Sequence, residues 1–161
     1  MSASTETVYC HNLLKSSGSS FSTAFMLLPR RQREAMTAFY AFCRAVDDAA
    51  DGKDVTADMR GWLLRWRCEV EGIYAGRPWH PVAVELRRAV SGFGIKRAHL
   101  EEVIDGVEAD LDNVRYETFA ELYDYCFKVA SAVGLVCVTV LGESSPEVEL
   151  YAELTGIAVQ L

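Results

Sequence analysis

The feature that most constrains this chain is the acidic pattern Tyr-x-x-x-Arg-x-x-Asp-Asp-x-x-Asp at residues 40–51. Residues 33–50 contain neither Gly nor Pro and are rich in Ala, Phe and Arg, which predicts a helix. Because a helix advances about 100° per residue, positions four, seven and eleven residues apart fall within an arc of about 60°. The residues so spaced are Tyr40, Arg44, Asp47 and Asp51. The opposite side is mostly apolar, so we expect a core-facing stripe and a polar face on one helix.

Two carboxylates on one helix face repel each other, and a divalent cation is the simplest way to offset that repulsion. Mg²⁺ takes hard oxygen ligands and is commonly held by one or two carboxylates together with substrate phosphates. The planar guanidinium of Arg44 could pair with the same phosphates. The alternative is a solvated acidic helix end, with Arg44 salt-bridged to Asp47 or Asp48. Spacing alone leaves both interpretations open.

The composition indicates one compact domain and argues against nucleic acid as the main partner. The chain has 161 residues, 50% of them hydrophobic, and a formal net charge of −7. Its five cysteines show no CxxC spacing and are typical of buried side chains in a reduced, cytoplasmic protein. The N-terminal residues lack the basic segment and the apolar segment that form a signal peptide. The longest apolar run, residues 129–141, is shorter than a bilayer span and predicts a core helix.

Helical periodicity recurs along the whole chain, and strand-like alternation does not. We predict helices at about 8–15, before Pro29, 57–74, 81–91, 97–110, 118–141 and from Ser145 onward. The fold class is therefore all-α, with short connections between antiparallel helices. The last helix reaches Leu161 in mid-pattern without a stop signal, so we expect a chain that is truncated within its domain.

Three further segments allow two interpretations each. The hydroxyl-rich residues 16–23 could be a flexible loop with a helix cap or an anion site, but they are not a Walker P-loop. The acidic side of residues 101–112 could hold a second metal group, although a solvated face explains the spacing equally simply. The small residues at 130–134 permit either close helix packing or an apolar ligand.

Taken together, these segments resemble the squalene/phytoene synthase family, which implies an antiparallel helical bundle of the isoprenoid-synthase type. The matching stretches run in the family's order at residues 19–22, 28–29, 38–51, 105–111, 115–116, 125–126, 133–134 and 156–161. Residues 17–21 and 76–83 look most like the bacterial presqualene diphosphate synthases of the hopanoid route. Phytoene synthases, which act on geranylgeranyl diphosphate, share much of this pattern and remain the alternative.

The resemblance implies the head-to-head condensation of two allylic prenyl diphosphates, with farnesyl diphosphate favoured and Mg²⁺ as cofactor. It assigns Asp47 and Asp51 as metal ligands. It makes both aspartates catalytic together with Tyr40, Arg44 and Tyr125, with Arg44 at the diphosphate and the two phenols at the reacting centre. The residues it assigns to substrate binding are Ser20, Phe21, Ser22, Val133, Gly134 and Gln160.

One departure from the family pattern reduces the expected activity. Family members follow the Gln-Leu at positions 160–161 with a second aspartate-rich motif, so residues 1–161 resemble the N-terminal portion of the synthase domain only. We expect negligible activity from this chain alone, and an exposed apolar surface through which it could dimerise. Peripheral membrane contact and a non-catalytic prenyl-diphosphate-binding or assembly role are further alternatives.

The expected lack of turnover can be measured directly. With farnesyl diphosphate and Mg²⁺, the 161-residue chain should form no detectable presqualene diphosphate or squalene. The reason is that only one of the two carboxylate motifs would be present to neutralise the departing diphosphate. Clear formation of either product would contradict the expectation.

Overall fold

A computed structural model describes residues 4–48, 59–112, 115–143 and 145–161, and within these ranges the regular structure is helical. This confirms the predicted all-α fold class. The helices are α1 (Thr5–Ser16), α2 (Phe21–Met26), α3 (Arg30–Asp47), α4 (Met59–Ala75), α5 (Pro81–Phe93), α6 (Arg97–Leu111), α7 (Phe119–Cys126), α8 (Ala132–Leu141) and α9 (Pro146–Gln160). A five-residue π-helical segment, Phe127–Ser131, joins α7 to α8.

Helix ends are fixed by the local signals that the sequence carries. The Thr118 hydroxyl accepts the Glu121 N–H, while the Glu121 carboxylate accepts the Thr118 N–H, each at 3.3 Å, so α7 begins with a capping box. Helices α5 and α8 end at Gly94 and Gly142, whose φ angles of 73° and 90° favour glycine. Helix α9 starts at a cap of its own, because the Ser145 hydroxyl accepts the Val148 N–H at 3.3 Å.

Helix α3 lies at the centre of the bundle and contacts α1, α2, α5, α6 and α8. Its apolar stripe is fully removed from solvent, with Phe42 and Val46 both at 0% exposure. The Trp66 ring of α4 meets the Phe42 ring edge-on at 5.5 Å between centroids. Burying side chains of this size stabilises the fold by about 1.5–3 kcal/mol each. The core prediction for the apolar side of α3 is confirmed within the described residues, and Ala49, which it also included, lies outside them.

The π-helical segment packs closely against glycines of the two helices beside it, α6 and α9. A Cβ on Gly106 of α6 would lie 2.8 Å from Val129 Cγ1, and one on Gly156 of α9 would lie 2.6 Å from Ser131 Cα. Such distances leave no room for a side chain, so the backbones approach closely on both sides. Ser131 also donates a hydrogen bond to the Glu153 carbonyl oxygen at 2.7 Å. The one-residue insertion of a π turn is therefore held in place from two directions.

The stretch formed by α7, the π-helical segment and α8 is unusually long and apolar. Phe119–Leu141 spans 23 residues and, among the described residues, is the one helix long and apolar enough to cross a membrane. The inner helix of a bundle passes the same test of length and composition. Here the stretch contacts α6 and α9, but only 33% of its apolar window is buried inside the protein, so the predicted core position of residues 129–141 is met only in part.

Part of the surface of α9 is apolar and exposed. Leu150, Tyr151 and Leu154, which lie within an arc of about 100°, are between 50% and 72% accessible. Exposed apolar surface of this kind is typical of a docking face. Dimerisation through it stays a prediction.

The connection between α4 and α5 is held by a buried carboxylate. Glu69, only 2% exposed, accepts the backbone N–H groups of Trp79 and His80 at 3.1 and 3.3 Å. His80 in turn caps α5, because its Nδ1 accepts the Val82 N–H at 3.2 Å. That acceptor role requires a neutral ring with its proton on Nε2. Burial lowers the pKa of His80, although the nearby Glu69 charge opposes this.

Replacing Gly156 with Ala should destabilise the fold. The added methyl would overlap the Ser131 backbone, and overpacking of this kind costs about 1–3 kcal/mol. Gly92 in α5 is the matched control, because a methyl added there would lie 3.8 Å from its nearest neighbour, an atom of the flexible Arg31 side chain. We expect Gly92→Ala to be neutral or slightly stabilising through helix propensity. Equal urea midpoints for the two variants would contradict the close-approach account.

The His80 cap predicts a loss of stability in mild acid. Because the folded pKa lies below the unfolded value of 6.5, the unfolded chain takes up a proton first as the pH falls. The cap's contribution is therefore present above pH 6.5 and declines below it. His80→Asn keeps a capping acceptor that does not titrate. Between about pH 7 and 5, its free energy of unfolding should fall less than that of the parent protein. If the free energy of unfolding of the two proteins fell in parallel with pH, the titrating His80 cap would be excluded as the cause.

Candidate functional site

An open, mostly apolar cavity of about 310 Å³ lies beside α3, between α2, α6 and the Phe119–Leu141 stretch. Its size is typical of a small-molecule site. Two carboxylates, those of Asp47 and Asp110, belong to its lining. The other lining residues are Phe21, Phe25, Met36, Phe39, Tyr40, Cys43, Val103, Val107, Val129, Val133 and Cys137.

The cavity wall follows directly from helical spacing. Helix α3 contributes Met36, Tyr40, Cys43 and Asp47, which recur at steps of four, three and four. Residues 103, 107 and 110 of α6 recur at steps of four and three, and residues 129, 133 and 137 recur at steps of four across the π-helical segment and α8. Three helices thus turn one stripe each toward a common space. On α3 and α6 the stripe ends in a carboxylate at the C-terminal side.

The hydroxyl-rich segment before α2 is anchored to α3 at the edge of the cavity. The Tyr40 phenol donates a hydrogen bond to Ser17 Oγ at 2.9 Å. The Tyr40 ring also contacts the rings of Phe21 and Phe25, with centroid distances of 6.1 and 6.4 Å. The segment therefore packs against α3 at the edge of the cavity. The sequence alone could not decide between this arrangement and a flexible loop. Whether it binds an anion stays a prediction.

Asp110 is oriented by a phenol. Tyr125 donates to Asp110 Oδ1 at 2.6 Å, and its ring stacks on Tyr116 at 4.9 Å. Burial and the hydrogen bond to the carboxylate raise the pKa of Tyr125 above its ordinary value, so the phenol keeps its proton at neutral pH. Tyr125 does not itself line the cavity. It acts on the cavity through the carboxylate that it holds.

The polar face predicted on α3 is only partly gathered at the cavity. Tyr40 and Asp47 line it, but Arg44 does not. The Arg44 guanidinium contacts Asp48 Oδ1 at 2.8 Å, and both side chains are more than two-fifths exposed. This is one of the two pairings that the solvated-helix interpretation allows. Asp51, the second predicted metal ligand, lies outside the described residues.

The predicted substrate-binding residues divide in the same way. Phe21 and Val133 line the cavity. Ser20 is exposed at the start of α2, and Ser22 donates a hydrogen bond to the Ser19 carbonyl oxygen at 2.9 Å. A Cβ on Gly134 would lie 3.1 Å from the Ala152 carbonyl oxygen of α9, so this glycine serves a helix contact. Gln160 is exposed at the end of α9. The binding roles of all six residues stay predictions.

Half of the acidic residues at positions 101–112 are paired with arginines of α4. Arg67 contacts Asp105 at 2.7 Å and Glu108 at 2.6 Å, while Arg60 pairs with Asp112. Within the described part of the chain, no group of three or more His, Cys, Asp or Glu side chains could hold a metal ion. Asp110 differs from its neighbours because it continues the Val103–Val107 stripe into the cavity. The position of Asp110 on the same helix face as Val103 and Val107 is the one feature of the sequence that could have pointed to its place in the cavity. The two valines by themselves indicate only a face that packs in the core.

Comparisons with known proteins agree on one family. A family model described as squalene/phytoene synthase matches residues 14–161. A presqualene diphosphate synthase of Rhodopseudomonas palustris is 41% identical over 146 residues, which are 89% of this chain and 52% of that protein. A phytoene synthase of Arthrospira platensis is 32% identical over 141 residues, 88% of this chain and 46% of that protein.

A solved structure supports the same assignment at the level of the fold. The crystal structure of squalene synthase HpnC from Alicyclobacillus acidocaldarius superposes with a TM-score of 0.87 at 26% identity. The alignment covers 96% of this chain and 58% of that one. The chain spans about half the length of the curated relatives it matches.

Proposed function

Because the chain belongs to the squalene/phytoene synthase family, we propose that its cavity binds the hydrocarbon tail of a prenyl diphosphate for head-to-head condensation. One observation carries the proposal. The cavity is apolar along most of its wall and carries two carboxylates, Asp47 and Asp110, at corresponding ends of α3 and α6. The apolar wall suits the hydrocarbon tail of a prenyl diphosphate. The two carboxylates suit its diphosphate head when a cation lies between them and the head.

We propose farnesyl diphosphate as the substrate and presqualene diphosphate as the product, in the squalene and hopanoid route. The higher identity to a presqualene diphosphate synthase favours this choice. Phytoene synthases match as well, at lower identity, so geranylgeranyl diphosphate is the second candidate. The two substrates differ by one five-carbon unit, which a comparison of binding affinities can detect. A cytoplasmic location with peripheral membrane contact stays a prediction.

The donor chemistry of the cavity fits the Mg²⁺ that the family implies. Carboxylate oxygens are the ligands that Mg²⁺ prefers, and one or two of them usually suffice when substrate phosphates complete the coordination. Asp47 would hold the ion, together with Asp51 by the family pattern. Bound there, Mg²⁺ would neutralise the negative charge that develops on the diphosphate leaving group.

The chain's own side chains would do the remaining work. The valines and phenylalanines of the wall would shield the side of an allylic cation that faces them from water, which would otherwise consume it by hydrolysis. The Tyr125 phenol stays protonated and holds the Asp110 carboxylate in one orientation. The Tyr40 ring sits in the wall while its hydroxyl fixes the Ser17 side chain at the cavity edge. These groups bind and orient the substrate before any bond is broken.

Asp47→Asn should weaken Mg²⁺-dependent binding of farnesyl thiodiphosphate, a slowly reacting substrate analogue. We expect the Kd to rise by about tenfold or more, because the neutral amide is a poorer ligand for a hard cation. Titration calorimetry with and without Mg²⁺ measures the difference. Asp124→Asn makes the same change of charge at an exposed position of α7 outside the cavity, and should bind as the parent does.

Two results would count against the proposal. Binding that is insensitive to both Mg²⁺ and Asp47→Asn would indicate a non-catalytic prenyl-binding protein. Unchanged binding by Val133→Phe would show that the tail does not enter the cavity, since Val133 lines it. Val159→Phe on exposed α9 is the control for adding the same ring elsewhere. Tighter binding of the geranylgeranyl analogue would select the second candidate substrate.

A further inference from the structure

A second cavity, of about 320 Å³, lies between α1, α3 and α5. Its α3 residues include Arg31 and Ala35, which by helical rotation lie roughly opposite Met36 and Tyr40 of the main cavity. The two cavities therefore occupy different faces of one helix. Among the described lining residues, the main cavity carries two carboxylates and no guanidinium group. This one carries two carboxylates, those of Glu34 and Glu85, and three guanidinium groups, those of Arg30, Arg31 and Arg88.

Two of the three guanidiniums are held by carboxylates. Arg88 contacts the buried Glu85 at 2.6 Å and donates to Ser4 Oγ at 3.0 Å. Arg30 pairs with Glu34 at 2.8 Å. These pairs fix the geometry of the lining but leave little net charge of their own.

The third guanidinium has no such partner. Arg31 lies over the Phe93 ring at 5.7 Å from its centroid, and within the described residues no carboxylate pairs with it. Stacking of this kind orients the planar fork and leaves its N–H donors available. Because Glu34 and Glu85 offset two of the three guanidiniums, the lining carries about one net positive charge, on the exposed Arg31.

The start of α3 adds to the positive potential. Pro29 occupies the cap position and supplies no side-chain acceptor, and the first turn of this 18-residue helix contains no acidic residue. Two arginines at the positive end of a helix dipole are electrostatically unfavourable, and a bound anion would offset that. Glu6 of α1 lies within electrostatic range of Arg88, but it lies at the protein surface, where water screens its charge.

We propose that this second cavity is a binding site for a phosphate dianion, held chiefly by Arg31, with Arg88, whose charge Glu85 largely offsets, as a second donor in the same lining. Guanidinium forks match phosphate oxygens in pairs, which distinguishes phosphate from chloride or a simple carboxylate. The volume exceeds that of phosphate itself, so a phosphate ester fits, whether a soluble metabolite or a lipid headgroup. The site is independent of the proposed prenyl cavity and needs no metal.

Titration with inorganic phosphate in EDTA, followed by calorimetry, tests the proposal. The parent protein should bind saturably, and Arg31→Gln should bind about tenfold more weakly because a charge-assisted contact is lost. Arg65→Gln removes an exposed arginine of α4 outside both cavities and should bind as the parent does. No saturable binding, or equal binding by Arg31→Gln, overturns the proposal.

Further measurements distinguish a soluble phosphate from a lipid headgroup, and they test whether the Arg31→Gln variant has simply unfolded. Vesicles of phosphatidylcholine with phosphatidic acid, bound in an Arg31-dependent way, would assign the site to a lipid headgroup. Arg31→Lys should recover part of the affinity, which a misfolded variant would not. Asp47→Asn should leave phosphate binding unchanged. Because the assay contains no Mg²⁺, failure here leaves the prenyl proposal intact, and the reverse also holds.

Discussion

The burial of α3 is the constraint on which both cavities depend. Its apolar stripe is packed against α1, α5 and the Trp66 ring of α4, so the helix can neither rotate nor slide without opening the core. Fixing one stripe fixes every other position on the helix at about 100° intervals. Asp47 and Tyr40 are thereby placed at one cavity, and Arg31 at another. The chemistry of each cavity is set by a rotation that the core alone determines.

Much of this arrangement could be predicted because it is local. The absence of Gly and Pro from residues 33–50, together with the spacing of Phe42 and Val46, is enough to give α3 and its buried side. Gly94 and Gly142 end their helices for conformational reasons that hold in any fold. The placement of Tyr40 and Asp47 on one face follows from the same arithmetic. The role of Asp47 as a metal ligand and the catalytic role of Tyr40 rest on the family resemblance.

The features that could not be predicted depend on contacts between helices. The acidic residues of α6 repeat at helical spacing, but only the neighbouring α4 decides that Asp105 is paired with Arg67 while Asp110 faces the cavity. The π turn is invisible in the pattern of residues 118–141, which reads as one continuous α-helix. It is maintained by close approach of Gly106 and Gly156, two residues far away in the sequence. The same holds for Gly134, which the resemblance assigns to the substrate and which contacts Ala152 of α9.

The π turn also brings Tyr125 and the cavity wall to one side of the same helix. Residues 125 and 133 are eight positions apart, which would place them about 80° apart on a regular α-helix. The inserted residue of a π turn offsets the helical phase by about 100°, so the two positions fall within about 20° of each other. Tyr125, before the turn, accordingly reaches Asp110, while Val133 and Cys137, after it, line the cavity to which Asp110 belongs. The glycines that stabilise the π turn thus act on the cavity, although neither of them lines it.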